Sequence, residues 1–293
     1  MTAQELVNTV VSSLVLGSVF SLVTIGYIVV YRASHVFNFM HPQFMLFGAL
    51  FYTSFYKEGY ASFAWAVLLS MVIVTVVGGL TYLLVIDRAA TLPHWVQMVL
   101  TLGLSICALN IAQLMFGPSL RFLRVPMVEE VWHLPADGTL TKIDFAVFVT
   151  GVVLFAGLYW LLAKSPIAYR LQATAADPML AAYSGINLRF WFAVAWAIAA
   201  AAAVVGGIAY SVRIPVDSSL TAVGLAAFPA AMLGGMDSLH GAFIGSFILA
   251  FMLQFATLHF GSQVATAIAF SLVVVVLVVR PRGLFGSPVV ERV

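Results

Sequence analysis

Long uncharged stretches dominate this chain and predict helices that cross a membrane. A spanning helix needs about 20 predominantly apolar residues, and eight stretches approach or exceed this length: 7–31, 33–56, 59–86, 96–116, 145–163, 190–212, 240–261 and 262–279. A further stretch, 224–236, is too short to cross and predicts a broken half-span, which is tolerated where protein or water surrounds it. We therefore predict an all-α polytopic membrane protein of about 8 transmembrane helices plus this short segment, as one domain over residues 1–293.

The composition excludes a soluble globular protein. Hydrophobic residues make up 63% of the 293 positions and charged residues only 8%, which is too few to cover the surface of a globule. When the short segment is counted as a crossing, eight of the 13 lysines and arginines fall on the side of the C-terminus. The positive-inside rule then predicts a periplasmic N-terminus, a cytoplasmic C-terminus, a periplasmic loop at 117–142 and a cytoplasmic segment at 164–189.

A polar island interrupts the apolar chain inside the segment 164–189. Asp177 followed by Pro178 favours a helix start, because aspartate accepts hydrogen bonds from the first amides and proline lacks a donor that would be unpaired there. Ser165 with Pro166 repeats this signal, and Gly185 favours a helix end because glycine adopts the left-handed backbone readily. The island therefore predicts two short helices outside the lipid.

Three motifs, in this order along the chain, carry a family resemblance. The first is the segment Phe37-Asn38-Phe39-Met40-His41, and the last is residues 280–286, which read RPRGLFG. Between them, a cytoplasmic pattern that ends in Gly-Ile-Asn is matched by Arg170, Ala173, Ala175, Ala181, Gly185, Ile186 and Asn187. On these motifs the chain resembles the permease subunits of the branched-chain amino acid ABC importers, the hydrophobic amino acid transport family.

This resemblance implies transport without catalysis by the chain itself. It implies a multi-pass permease in the bacterial inner membrane that moves small amphipathic solutes, namely branched-chain or other hydrophobic amino acids, or aromatic acids. The implied partners are a second permease subunit, identical or related, two cytoplasmic ATPase subunits and a periplasmic solute-binding protein, with no nucleic acid. The ATPase subunits bind the ATP and this chain holds no cofactor; it also lacks a G-x-x-x-x-G-K-[ST] phosphate loop.

The helix predicted at 177–185 is the candidate for contact with an ATPase. It carries apolar side chains such as Met179 and Tyr183 outside the membrane, where only a partner or the ends of this chain's own helices could bury them. We predict a coupling helix, with packing against the chain's own helix ends as the alternative. The predicted coupling residues are Arg170, Ala173, Asp177, Pro178, Met179, Ala181, Tyr183, Gly185, Ile186 and Asn187.

Polar residues in the second apolar stretch indicate a substrate path. Asn38 and His41 lie about one helical turn apart and either face such a path or bond to nearby backbone as a structural pin. Pro42 and the polar residues of this stretch make a plain lipid-facing helix unfavourable, so we expect a helix that is bent or begins inside the bundle. The predicted pathway residues are Phe37, Asn38, His41, Phe44, Gly234 and Gly235.

The outer loop 117–142 is predicted to dock the solute-binding protein. Arg121 and Arg124 precede Glu129 and Glu130, and such a mixed-sign surface orients a partner more than it tightens binding. The alternative is a merely solvated loop. Within it, Asp137-Gly138 predicts the turn of a small hairpin.

Small residues recur at helical spacing in two of the later stretches. They let helix backbones approach closely, either within one subunit or at a seam between two subunits. The residues are Ala195, Ala199, Ala203 and Gly207 in one stretch, and Gly241 and Gly245 in another.

An ion-coupled secondary transporter or a channel is the alternative function. Secondary transporters usually embed carboxylates in their helix bundle, whereas each Asp and Glu here falls at a span end or in a loop, Asp237 being nearest to an exception. A channel has no use for a paired-helix cytoplasmic island. His35 and His41 have no carboxylate near them in sequence, and H-E-x-x-H and G-x-S-x-G motifs are absent, so neither a metal site nor a hydrolase is predicted.

Overall fold

Helices make up most of the described chain. The computed structural model describes residues 2–57, 61–126 and 130–286. Its α-helices are α1 (Ala3–Ser34), α2 (His41–Lys57), α3 (Phe63–Thr81), α4 (His94–Phe116), α5 (Lys142–Lys164), α6 (Pro166–Ala176), α7 (Pro178–Tyr183), α8 (Leu188–Ser211), α9 (Leu220–Ala226), α10 (Phe228–Gly234), α11 (Leu239–Phe260) and α12 (Ser262–Val279). A two-stranded hairpin of β1 (Val131–Leu134) and β2 (Gly138–Thr141) precedes α5.

Seven helices in the described residues are long and apolar enough to cross a membrane, which confirms the prediction of an all-α polytopic membrane protein. They are α1, α3 with its continuation to Ala89, α4, α5, α8, α11 and α12. The predicted stretch 33–56 gives α2, which begins only at His41 and has 17 residues. The short stretch predicted at 224–236 is indeed a broken segment, α9 and α10, interrupted at Ala227 and starting earlier, at Leu220.

Two compact units divide the chain. Unit 1 comprises Met1–Ile28, Met127–Phe155 and Ala227–Val293, and unit 2 comprises Val29–Pro126 and Ala156–Ala226. The long helices α1 and α5 each contribute residues to both units.

Helix α8 lies at the centre of unit 2, where it packs against α2 and α3. A Cβ atom on Gly207 would meet the backbone carbonyl of Met45 in α2, and one on Gly78 in α3 would lie 2.6 Å from the Cβ of Ala200. Three alanines spaced four apart on α8 are fully buried: Ala195, Ala199 and Ala203. The small residues of α8 therefore pack helices within this chain, which was the first of the two alternatives.

Helix α11 of unit 1 uses its two predicted glycines in the same way. A Cβ on Gly245 would lie 2.8 Å from the backbone nitrogen of Gly234 in α10, and one on Gly241 would lie 3.1 Å from the Cα of Gly234. Backbone therefore packs directly on backbone between α10 and α11, as the spacing of small residues allows.

The RPRGLFG motif folds back onto the end of α10 in unit 1. The amide of Leu284 donates to the carbonyl of Leu233 over 2.8 Å, and the amide of Phe285 donates to the carbonyl of Gly234 over 3.0 Å. A helix C-terminus leaves its last carbonyls without intrahelical partners. This motif therefore caps the broken helix with backbone from about 50 residues further along the chain.

The predicted hairpin is present, but its turn lies one residue earlier than predicted. Ala136 and Asp137 have positive φ values of 61° and 57°, whereas Gly138 is extended at φ −66°. Gly138 already belongs to β2, where a Cβ would lie 3.0 Å from the Cβ of Val7 in α1. The glycine therefore serves close packing against α1 rather than the turn.

Candidate functional site

The segment 164–189 contains the two short helices that its start signals predicted. Ser165 precedes α6, and its hydroxyl oxygen accepts a hydrogen bond of 3.3 Å from the amide of Ala168. Asp177 precedes α7, and its carboxylate accepts one of 2.9 Å from the amide of Leu180. Each cap satisfies an amide that the first helical turn leaves unpaired.

A glycine-dependent motif ends α7. The amide of Ile186 donates to the carbonyl of Ala181 over 3.0 Å, and the amide of Gly185 donates to that of Ala182 over 3.0 Å. This pair of bonds is the Schellman motif, which places its glycine in the left-handed region, and Gly185 has φ +80°. Asn187 follows at once and caps α8, because its side-chain oxygen accepts from the amide of Phe190 over 3.1 Å.

Helix α7 presents a large apolar surface that the described part of the chain leaves uncovered. Met179 is 69% exposed, Leu180 63% and Tyr183 83%. Ala181 is buried, and α7 packs against α8 through a small contact. Within the described residues, these three side chains therefore do not pack on the chain's own helix ends. The other predicted coupling residues are exposed or half-buried: Ala173, Asp177, Pro178, Gly185, Ile186 and Asn187.

Two arginines join the segment to the body of unit 2. The guanidinium of Arg170 in α6 lies 5.2 Å from the ring centroid of Trp191 in α8. The guanidinium of Arg189 lies 2.9 Å from the carboxylate of Asp87 and donates to the carbonyl of Leu83 over 3.2 Å. Sequence reasoning did not identify the Arg189 pair, because its two charges are about 100 residues apart and nothing local indicates that they meet.

Residues 35–40 leave the helical conformation between α1 and α2, and α4 supplies part of their hydrogen bonding. The hydroxyl oxygen of Thr101 accepts from the amide of Phe39 over 3.2 Å and also lies 3.2 Å from the carbonyl oxygen of Phe37. The side chain of Asn38 accepts from the amide of Met40 over 3.0 Å. A broken backbone inside an apolar bundle needs such partners, since unpaired amides and carbonyls are costly in hydrocarbon.

Buried polar groups cluster around this break. Asn38 is 2% exposed, and His41 and Phe44 are fully buried, with ring centroids 6.4 Å apart. The amide nitrogen of Gln43 donates to the hydroxyl of Ser105 over 2.9 Å. Among the described residues, the side-chain nitrogen of Asn38 and the side-chain oxygen of Gln43 have no hydrogen-bond partner. Burying such atoms unpaired costs on the order of 1–3 kcal/mol each.

Sequence reasoning missed the polar stripe of α4 that faces this break. Gln97, Thr101 and Ser105 recur every fourth residue and are all buried. That spacing places them on one face of a helix, so a count of polar residues at helical period within the fourth stretch would have found them.

The glycines predicted beside the path, Gly234 and Gly235, belong to unit 1. Gly234 packs on α11 as described above. Gly235 has φ +105°, and a Cβ added to it would lie only 2.7 Å from the backbone nitrogen of Gly286. Packing and capping account for the small size of both glycines.

A side chain also contacts the interruption between α9 and α10: the hydroxyl of Thr24 donates to the carbonyl of Ala227 over 3.2 Å.

The outer loop divides between the two units. In unit 2, the guanidinium of Arg121 donates to the hydroxyl of Ser54 over 2.8 Å and to the carbonyl of Phe116 over 2.6 Å. Arg124 is exposed. In unit 1, exposed Glu130 pairs with Lys142 at 3.3 Å. Glu129 lies outside the described residues.

The described residues contain no group of three His, Cys, Asp or Glu side chains that could hold a metal ion. The candidate functional residues thus form two groups, both in unit 2: the exposed apolar side chains of α7 and the buried polar groups around the broken backbone at residues 35–40.

Comparison with known proteins identifies the family. The family described as "Branched-chain amino acid transport system / permease component" matches residues 9–279. The permease protein BraD of the high-affinity branched-chain amino acid transport system of Pseudomonas aeruginosa is 28% identical, over 99% of this chain and 97% of BraD. The corresponding LivH of Escherichia coli K12 is 27% identical, over 95% of this chain and 94% of LivH. A solved structure, PsaBC from Streptococcus pneumoniae in complex with Fab, aligns with a TM-score of 0.49 and 15% identity, over 95% of this chain and 92% of that chain. Because the family match covers nearly the whole sequence, this protein belongs to the family of branched-chain amino acid transport system permease components.

Proposed function

We propose that this chain is the permease subunit of an ABC importer in the inner membrane, and that α7 is the coupling helix through which a separate ATPase subunit acts on it. The observation that carries the proposal is the exposure of Met179, Leu180 and Tyr183 on a helix outside the predicted spans. Contiguous apolar surface of this kind marks a contact with another protein. The caps at both ends of α7 hold that surface in one orientation.

The ATPase subunits supply the energy in this proposal. Two of them bind and hydrolyse the ATP on the cytoplasmic side, and a second permease subunit, identical or related, completes the membrane part. The permease family and the absence of a phosphate-loop motif in the sequence both support this division of labour.

Cysteine crosslinking tests the contact directly. The single native cysteine, Cys107, is exposed, so we would first replace it with alanine. Cysteines introduced at Met179 and at Tyr183 should then crosslink to a co-purifying ATPase subunit. A cysteine at Phe122, which is 73% exposed and lies in the outer loop, is the matched control and should not crosslink. Crosslinks from Met179 and Tyr183 confined to this chain would overturn the proposal.

The proposed substrates are small amphipathic solutes: branched-chain or other hydrophobic amino acids, or aromatic acids. The family to which the chain belongs supports the branched-chain amino acids among these. We propose that the path runs beside Asn38 and His41, where unpaired polar atoms of Asn38 and Gln43 lie among apolar walls and could bind water or solute. Uptake of labelled leucine and labelled phenylacetate by proteoliposomes that contain the complete transporter would separate the two substrate classes.

A periplasmic solute-binding protein is the proposed source of that substrate, docked on the outer loop. The support is that the loop carries exposed charges of both signs, Arg124 in unit 2 and Glu130 in unit 1. Arg121 is a poor docking residue, because its guanidinium is engaged by its own chain. Exchanging Arg124 for glutamate should slow docking at low salt and have little effect at high salt, whereas equal association rates at low salt would favour a merely solvated loop.

A further inference from the structure

A cavity of about 200 Å³ opens in unit 2 between the C-terminal part of α2 and the loop that follows α4. This volume is more than ten times the roughly 10–15 Å³ that a single water needs. Its lining includes Tyr56, whose ring stacks on that of the fully buried Tyr52 with centroids 5.6 Å apart, together with Arg121, Phe122 and Arg124. The cavity is therefore large enough for a small solute and combines aromatic walls with positive charge.

Helix α8 indicates at which membrane face this cavity lies. Arg121 pairs with Val216 through two backbone hydrogen bonds, of 3.2 and 2.7 Å. Val216 follows the C-terminus of α8, whereas the segment 164–189 leads into the N-terminus of the same helix. The 24 residues of α8 span about 36 Å, which is enough to cross the roughly 30 Å of a bilayer core. The cavity therefore lies at the membrane face opposite the coupling helix.

The two arginines differ in how much of their hydrogen-bonding capacity remains. Arg121 uses two of its five N–H donors on Ser54 and Phe116, and its guanidinium lies 5.3 Å from the Phe116 ring centroid. This arginine is a fixed charge at the wall. Arg124 makes no side-chain hydrogen bond or ion pair with the described residues, while its carbonyl accepts from the Tyr52 hydroxyl over 2.7 Å. That bond holds the backbone of Arg124 beside the cavity, and its guanidinium has no partner among the described residues.

We propose that this cavity is an entry subsite for small monocarboxylates with an apolar or aromatic body, including the carboxylate end of an amino acid. A guanidinium fork binds a carboxylate through two parallel hydrogen bonds, and the half-buried Tyr56 and exposed Phe122 present rings against which an apolar body packs. The cavity's described lining has two cations and no acid, so an amine without a carboxylate is disfavoured. The inference rests on the proposed import function, since it places a first contact for solute on the outer face.

Three fluorinated probes with the same ring test the inference: 4-fluorophenylacetate, 4-fluorophenylalanine and 4-fluorophenethylamine. The full chain, in lipid nanodiscs with its co-purifying subunits and without a binding protein, is titrated with each probe, and the 19F linewidth is followed. The first two probes should broaden and the amine should not. Arg124→Gln should raise the dissociation constant for both carboxylates by roughly tenfold or more, whereas Lys142→Gln, the charge-matched control elsewhere in the outer loop, should leave it unchanged.

Two results would overturn the inference. Equal broadening by the amine would show that charge does not select the ligand, and equal affinities in the wild-type and Arg124→Gln proteins would show that the carboxylates bind elsewhere. ATP-driven uptake and co-purification of an ATPase, measured on the same preparation, test the import function separately. Preserved uptake with no probe binding would reject the subsite while still supporting the import function.

Discussion

Replacement of Gly185 by valine is expected to uncouple ATP hydrolysis from transport while leaving the protein folded in the membrane. Gly185 has φ +80°, a region that costs an L-residue about 1–2 kcal/mol. An added Cβ would meet no atom within 4 Å, so the penalty is conformational and no clash contributes. A free energy of 1–2 kcal/mol changes a local equilibrium by a factor of roughly 5–30.

The short length of α7 makes this penalty consequential. A helix of six residues is far below the roughly 12–15 that an isolated helix needs, so α7 depends on its caps and on its contact with α8. Loss of the Schellman bonds should release Met179 and Tyr183 from their fixed orientation. We therefore expect ATPase stimulation by substrate and crosslinking from Tyr183 to fall several-fold, with normal membrane insertion and yield.

A second substitution at the same position separates backbone geometry from side-chain bulk. Asparagine tolerates the left-handed region better than other non-glycine residues, so Gly185→Asn should retain most of the coupling that Gly185→Val loses. The reasoning is refuted if valine couples as well as glycine, or if asparagine is as damaging as valine. In the first case the helix end does not matter, and in the second the cause is not the φ angle.

Three further substitutions or fusions test other parts of the structure. Gly207→Ala should lower the free energy of unfolding by about 1–3 kcal/mol through overpacking against Met45. The control is Gly103→Ala, where a Cβ meets nothing within 4 Å and the thermal midpoint in detergent should be nearly unchanged. Equal midpoints for the two variants would argue against tight packing at Gly207. His41→Leu should change substrate uptake without abolishing assembly, and unaltered uptake would favour the structural-pin interpretation. A fluorescent reporter fused after Val293 should be active in the cytoplasm, and alkaline phosphatase activity at that position would reverse the proposed orientation.

Local signals made the coupling segment predictable. The starts of α6 and α7 depend on Ser165 and Asp177, whose side chains bond to amides three residues further along. The end of α7 depends on Gly185 and its immediate neighbours. Each of these determinants lies within one turn of the helix that it limits, so a linear sequence contains them completely.

Contacts between residues far apart in the chain could not be predicted from the sequence. Thr101 binds backbone at Phe37 and Phe39 across more than 60 positions, and Arg189 meets Asp87 across about 100. The Thr101 bonds support the non-helical backbone before His41, where α2 begins, in place of a helix starting near residue 33. The length of the apolar stretches predicted the spans well. The break itself was indicated by Pro42 and the polar residues beside it, whereas its hydrogen-bond partner Thr101 was not.

The glycines show why residue type alone does not reveal a role. At Gly185 the surroundings are open and the backbone is left-handed, so the requirement is conformational, and a helix-end pattern in the sequence indicates it. At Gly207 the backbone is helical and the space is filled by the carbonyl of Met45, so the requirement is steric and depends on a residue more than 150 positions away. A glycine of the first kind tolerates asparagine and rejects valine because of φ, whereas one of the second kind rejects any side chain. The side chains that each position tolerates therefore distinguish the two kinds of glycine, and the structure predicts which kind each one is.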